Sequence, residues 1–154
     1  MKPSQIAQTY LDRISAAVMA DDYPSYRFGV ALPLHMVTHT ANFTVSTEEA
    51  LRDGFDTFRQ LLHSQRITDF IRLVVSAEAM DPELISTRYV THLIAGSLRV
   101  MEPFHSQITL RLIEGNWRAV SITNSLSNSR WPLDVLRQSD STPPNPDTPK
   151  GPYQ

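Results

Sequence analysis

A chain of 154 residues has room for one compact domain of ordinary size. Its 14 basic and 16 acidic side chains are mixed to a net charge of −2, and only Lys2 and Lys150 are lysines, so no basic cluster offers a footprint for nucleic acid. The absence of cysteine excludes thiol catalysis, zinc ribbons and a disulfide framework, and it fits the cytoplasm, where the protein is expected.

The opening stretch MKPSQIAQTYLDR lacks the apolar centre of a signal peptide, and no apolar run approaches the ~20 residues of a membrane span. A soluble domain with no membrane partner is expected. Ile6, Tyr10, Ile14 and Val18 recur every four residues, with Leu11 and Ala17 beside them, which predicts an amphipathic helix over about 4–20. Asp21 or Asp22 caps a short second helix through Pro24, carrying Tyr26, Phe28 and Val30 and ending before Pro33. LHMVTHTANFTV is rich in β-branched residues and reads as two short strands, or one bent strand around Thr40-Ala41-Asn42. Ser46-Thr47-Glu48-Glu49 has the pattern of a capping box with Ser46 as the cap, and Leu51, Phe55, Phe58, Leu61 and Leu62 carry the apolar face of a helix to about His63.

From Thr68 the period changes to two. TDFIRLVVSAEAM turns at Asp81-Pro82-Glu83 into LISTRYVTHLIAG, then SLRVM, QITLRLI and WRAVSITNSL, the last two forming a hairpin at Gly115-Asn116. A helical turn at Val135 and Leu136 follows. Helices segregated from a run of antiparallel strands make an α+β domain over 1–138. The proline-rich remainder, 139–154, is expected to be an extended or disordered tail.

Alternation divides the hairpin into two faces. One holds Ile108, Leu110 and Leu112 with Trp117, Ala119, Ser121 and Thr123, turning from apolar to hydroxyl-lined towards Asn124 at the strand exit. Trp117, Ser121, Thr123 and Asn124 are therefore candidates to line a ligand pocket. The other face holds Thr109, Arg111 and Ile113 with Arg118, Val120 and Ile122. Apolar side chains between two arginines suit a subunit contact, so Arg111, Ile113, Arg118, Val120 and Ile122 are the candidate dimer interface.

The order of elements, with GNWRAVSITNSL closing the sheet, resembles the nuclear-transport-factor-2-like superfamily, which includes SnoaL-like polyketide cyclases. The likeness covers about residues 4–130. It implies a cone-shaped, curved antiparallel sheet packed against N-terminal helices, a pocket between them, and usually a homodimer through the outer sheet face. It does not imply a reaction, because the fold hosts many functions.

Enzymes of that superfamily place a carboxylate base on an early strand, but HMVTHTANFTV offers only His35 and His39. On a strand these histidines stand about 13 Å apart at ~3.3 Å per residue, too far to hold one metal ion. No metal site and no cofactor are expected. Either histidine suits a general base at neutral pH; Tyr10 matches the position of a tyrosine donor on the first helix, and Tyr89 is the other candidate donor. The more usual role of such histidines is on the surface, and Tyr10 also falls on the apolar stripe.

On the second long strand, Arg88 and His92 share one face, Tyr89 and Thr91 the other. Inward Arg88 and His92 would favour an anionic ligand. Inward Tyr89 and Thr91 would favour a neutral, hydrogen-bonded one, and the outer face is the commoner place for Arg88 and His92. The sequence thus points to a binder of a small hydrophobic or carbonyl-containing molecule. The alternatives are a SnoaL-like isomerase, cyclase or dehydratase with a histidine base, and an interaction module working through the sheet face.

Overall fold

The computed structural model describes residues 1–39 and 41–125. The helical turn expected at Val135 and Leu136 and the tail 139–154 lie outside the described residues.

Among the described residues, three helices, α1 (Pro3–Met19), α2 (Tyr23–Phe28) and α3 (Glu48–Ser64), accompany seven strands. These are β1 (Val30–Val37), β2 (Asn42–Val45), β3 (Asp69–Asp81), β4 (Leu84–Ala95), β5 (Leu98–Arg99), β6 (Phe104–Ile113) and β7 (Asn116–Asn124). The strands form one sheet in the order β2-β1-β7-β6-β4-β3, with β5 pairing β4. All pairs are antiparallel except β1 with β7.

Three local expectations shift by a residue or more. The second helix ends at Phe28, and Val30 begins β1 instead of continuing the helix. Asp22 caps that helix, accepting from the Ser25 amide at 3.2 Å. Helix α3 is capped by Thr47, which accepts from Ala50 N at 3.0 Å, and not by Ser46. Both hydroxyl residues fit the sequence pattern. In the Thr47 register Glu48 reaches back to α2, accepting from the Tyr23 hydroxyl and, at 2.6 Å, from Arg27 Nε.

The hairpin turns on Glu114 and Gly115, both with positive φ (52° and 79°), one position before the expected pair. A bulge then skips Val120: Leu110 pairs Ala119, but Thr109 pairs Ser121 and Ile108 pairs Ile122. A single unpaired residue exchanges the faces of everything after it.

Helix α1 lies across the inner face and is fastened at both flanks. On the β3 side, Gln8 Nε2 donates to Arg72 O at 2.7 Å and Gln8 Oε1 accepts from Val74 N at 2.9 Å. In a strand, the carbonyl of one residue and the amide two residues on point the same way. Here that way is the open edge of β3, so the Gln8 amide stands in for a missing strand. On the other flank, Tyr10 donates to Gly29 O at 2.6 Å, and the same carbonyl accepts from Ala119 N at 2.8 Å. A Cβ at Gly29 would come within 2.5 Å of Ile14 Cδ1, so a larger residue there would have to displace the end of that side chain.

The core divides into two clusters. One gathers Leu11, Leu34, Leu51, Ile85 and Leu110, and the other gathers Val18, Phe55, Leu62, Leu93 and Phe104. Replacing Gln8 with Leu removes two hydrogen bonds that hold α1 to β3, at about 0.5–1.5 kcal/mol each. Urea unfolding of Gln8→Leu should show a loss of about 1–3 kcal/mol, and an unchanged midpoint would mean the edge bonds contribute nothing.

Candidate functional site

A cavity of about 100 Å³ lies between α1, α2 and the inner face of the sheet, where the two core clusters meet. Its walls are mostly apolar, with Ile14, Val18, Leu93, Phe104, Ile108 and Ile122 among them. The polar exceptions are Tyr10, Tyr26, Arg72, Tyr89, Thr91, Ser106 and Asn124.

Strand register arranges most of these groups. Tyr89 faces Ser106 across β4 and β6, and Ser106 faces Asn124 across β6 and β7, making one polar rung. On the neighbouring rung Arg72 pairs Thr91, which pairs Phe104. Strands are spaced ~4.8 Å apart and residues on one face repeat every ~6.7 Å, so the two rungs bring these oxygens and nitrogens to one small area.

The hydroxyls of Tyr26, Tyr89, Thr91 and Ser106 make no hydrogen bond with another described residue, and none is a fully enclosed orphan. They open onto the cavity. Tyr10 differs, because its proton is committed to the Gly29 carbonyl. Burial pushes the Tyr10 and Tyr26 hydroxyls well above the ordinary phenol range, and the charge of Arg72 opposes that rise in both. At neutral pH both are uncharged.

Of the residues singled out in the sequence, Tyr10, Tyr89, Thr91 and Asn124 line this cavity. Arg88 and His92 lie on the opposite face of β4 from Tyr89 and Thr91. Ser121 and Thr123 pair Thr109 and Gln107 on the outer face, because the bulge at Val120 reverses the alternation the expectation relied on. The same reversal brings Ile122 from the expected interface face into the cavity wall. Trp117, before the bulge, borders a separate recess with Ile6, Thr9 and Tyr10 near the start of α1.

The two histidines stand apart from the cavity. His35 is exposed, pairs Ser121 on the outer face and lies 3.3 Å from Thr44 Oγ1; His39 is exposed in the turn after β1. Arg111 and Arg118 are direct cross-strand partners on the outer face, and Ile113 pairs Asn116 beside them. The Arg118 guanidinium lies 4.7 Å from the Phe28 ring.

Arg72, Ser106 and Tyr26 are the polar cavity residues that the sequence did not single out. Alternation in TDFIRLVV puts Phe70, Arg72 and Val74 on one face, so the signal for Arg72 was present. An arginine between strand apolars, however, ordinarily marks the solvent side.

No family model matches the sequence, and no curated protein sequence matches it. Solved structures do match. An NTF2-like protein of unknown function from Shewanella oneidensis aligns with TM-score 0.63 at 9% identity, covering 81% of this chain and 100% of its own. An NTF2-like protein with a cystatin-like fold from Novosphingobium aromaticivorans aligns with TM-score 0.58 at 13% identity, covering 87% and 88%. A domain of unknown function with a cystatin-like fold from Nostoc punctiforme gives TM-score 0.58 at 10% identity, covering 90% and 82%. The chain therefore has the nuclear-transport-factor-2-like α+β fold, and the likeness is one of fold.

Beside the cavity, Tyr23 of α2 is buried and bonded to Glu48 of α3, and burial first, then that bond, raises its hydroxyl to about 12. A raised folded value favours the neutral form. Its contribution to stability is present below the ordinary value of 10 and is lost as pH rises through about 12. Urea titrations at a series of alkaline pH values should therefore show Tyr23→Phe losing less stability than wild type over pH 10–12. Parallel losses would contradict the assignment.

Proposed function

We propose that the protein binds a small organic molecule inside the sheet, one with an apolar body and a hydrogen-bonding oxygen. The observation that carries this reading is the set of four hydroxyls, on Tyr26, Tyr89, Thr91 and Ser106, that face one apolar-walled cavity without a partner among the described residues. Buried polar groups are almost always paired with protein, water or ligand. A pocket with apolar walls and a few convergent polar groups is the usual form of a small-molecule site. At about 100 Å³ the cavity is smaller than the ~150 Å³ that admits benzene, so the ligand part it encloses is short.

Binding is favoured over histidine-base isomerase, cyclase or dehydratase chemistry. Such a reaction needs a base and a proton donor converging on the substrate. Neither His35 nor His39 borders the cavity, no Asp or Glu lines it among the described residues, and the Tyr10 proton is held by Gly29 O.

Titrating isotopically labelled protein with butanone, as a short carbonyl probe, should shift the amide resonances of Thr91, Ser106 and Asn124. Ile122→Trp, which fills the cavity from the β7 wall, should abolish those shifts while leaving the rest of the spectrum dispersed. Shifts confined to the outer face, or unaffected by Ile122→Trp, would sink the proposal.

A second reading concerns the outer face, which we infer to be the contact between two copies of the chain. Ile71, Leu73 and Val75 of edge strand β3 are exposed at 38%, 49% and 56%. Val90 of β4 pairs Leu73 on that face, so an apolar strip runs across two strands. With Ile122 turned inward, this strip supplies more apolar surface than Ile113 and Val120 do. Light scattering should give a dimer mass for wild type and a monomer mass for Leu73→Glu. A monomeric wild type would remove this reading without touching the cavity.

A further inference from the structure

We propose that the ligand's polar end is a carboxylate and that Arg72 receives it, an inference that rests on the small-molecule reading above. Arg72 lies on the inner face of β3, half-buried in the cavity wall. Three ion pairs occur among the described residues, Arg27–Glu48, Arg52–Asp56 and Arg59–Asp21, and Arg72 belongs to none. A guanidinium withdrawn from water without a counter-charge is costly, and such groups are ordinarily paired.

The geometry says which edge of the guanidinium is free. Nε donates to Ser15 Oγ at 2.9 Å and Nη2 to Leu11 O at 3.2 Å, so the edge shared by these two nitrogens is held by α1. Nη1 has no protein partner among the described residues, and Nη2 keeps a second proton. The Nη1–Nη2 end is the fork that matches the two oxygens of a carboxylate. The Phe70 and Tyr89 rings flank the charge at 4.8 and 5.7 Å and, with the two α1 bonds, fix its position.

The neighbours complete the site. Thr91 is the direct cross-strand partner of Arg72, and its hydroxyl, without a partner among the described residues, can donate to the same carboxylate. Phe104 and Ile108 offer apolar wall for the tail. A monocarboxylate fits a single cation in a small apolar chamber. A phosphate dianion would leave charge uncompensated there, since Arg72 is the only Arg, Lys or His lining the cavity among the described residues. The neutral phenols of Tyr10 and Tyr26 add no competing negative charge.

The test compares butanoate, butanamide and inorganic phosphate by resonance titration of the full wild-type chain at neutral pH. A charge-assisted fork exchanged for a neutral amide should cost about tenfold or more in affinity, so butanoate should bind at least that much more tightly than butanamide. Butanoate should move the Thr91 and Ser106 amides, and Arg72→Gln should remove its advantage over butanamide. Arg72→Lys, which keeps the charge without the fork, should fall between them.

Butanamide binding as tightly as butanoate would overturn the carboxylate and leave the pocket. Preference for phosphate would overturn the carboxylate as the anion. Failure of all three to move any cavity residue would overturn both this inference and the reading it rests on. The wild-type comparison decides even if the variants do not fold.

Discussion

Helix α1 is held to the sheet by directional bonds at its flanks and by apolar contact between them, and the cavity lies between this helix and the sheet. Gln8 reads the free edge of β3 and Arg72 reaches back to Ser15 and Leu11, while Tyr10 and Ala119 share the Gly29 carbonyl on the opposite side. These bonds fix the height of the helix above the sheet. Leu11 belongs to one core cluster and Val18 to the other, and the cavity lies where the two clusters meet.

The chemistry of the middle follows from register. Strands β4, β6 and β7 place Tyr89, Ser106 and Asn124 on one rung, and β3 and β4 place Arg72 and Thr91 on the next. If these positions served only packing, apolar side chains would fill them at less cost, since each unpaired buried polar group costs about 1–3 kcal/mol. Thr87, fully buried two residues before Tyr89 and with no hydroxyl partner among the described residues, shows that the fold tolerates such a group outside the cavity. Four hydroxyls converging on one space are a different matter. They are the observation on which the proposed binding of a small molecule rests.

Much of the fold was legible. The period of two from Thr68 onward located β3, β4, β6 and β7, and the four-residue recurrence of Ile6, Tyr10, Ile14 and Val18 located α1. What was not legible depended on contacts distant in sequence. Ser46 and Thr47 both satisfy the capping pattern, and only the reach of Glu48 to Tyr23 and Arg27 distinguishes them. The bulge at Val120 has no local signature; its position is shared with the parallel neighbour β1, whose own pairing to β7 breaks between Val30 and His35. That bulge decides whether Ser121 or Ile122 faces inward, so the second half of the hairpin could not be assigned from alternation alone. Tyr89 and Thr91 lie on the unbroken part of β4 and needed only a choice of face. Arg72 needed the same choice, and general experience of strand arginines points the wrong way.

The central claim is that the space under α1 holds a molecule. Native mass spectrometry of protein purified gently from cells, alongside the same sample denatured and alongside Ile122→Trp, tests it most directly. The account predicts an added mass on native wild type that is lost on denaturation and missing from Ile122→Trp. The same bare mass in all three samples would contradict it.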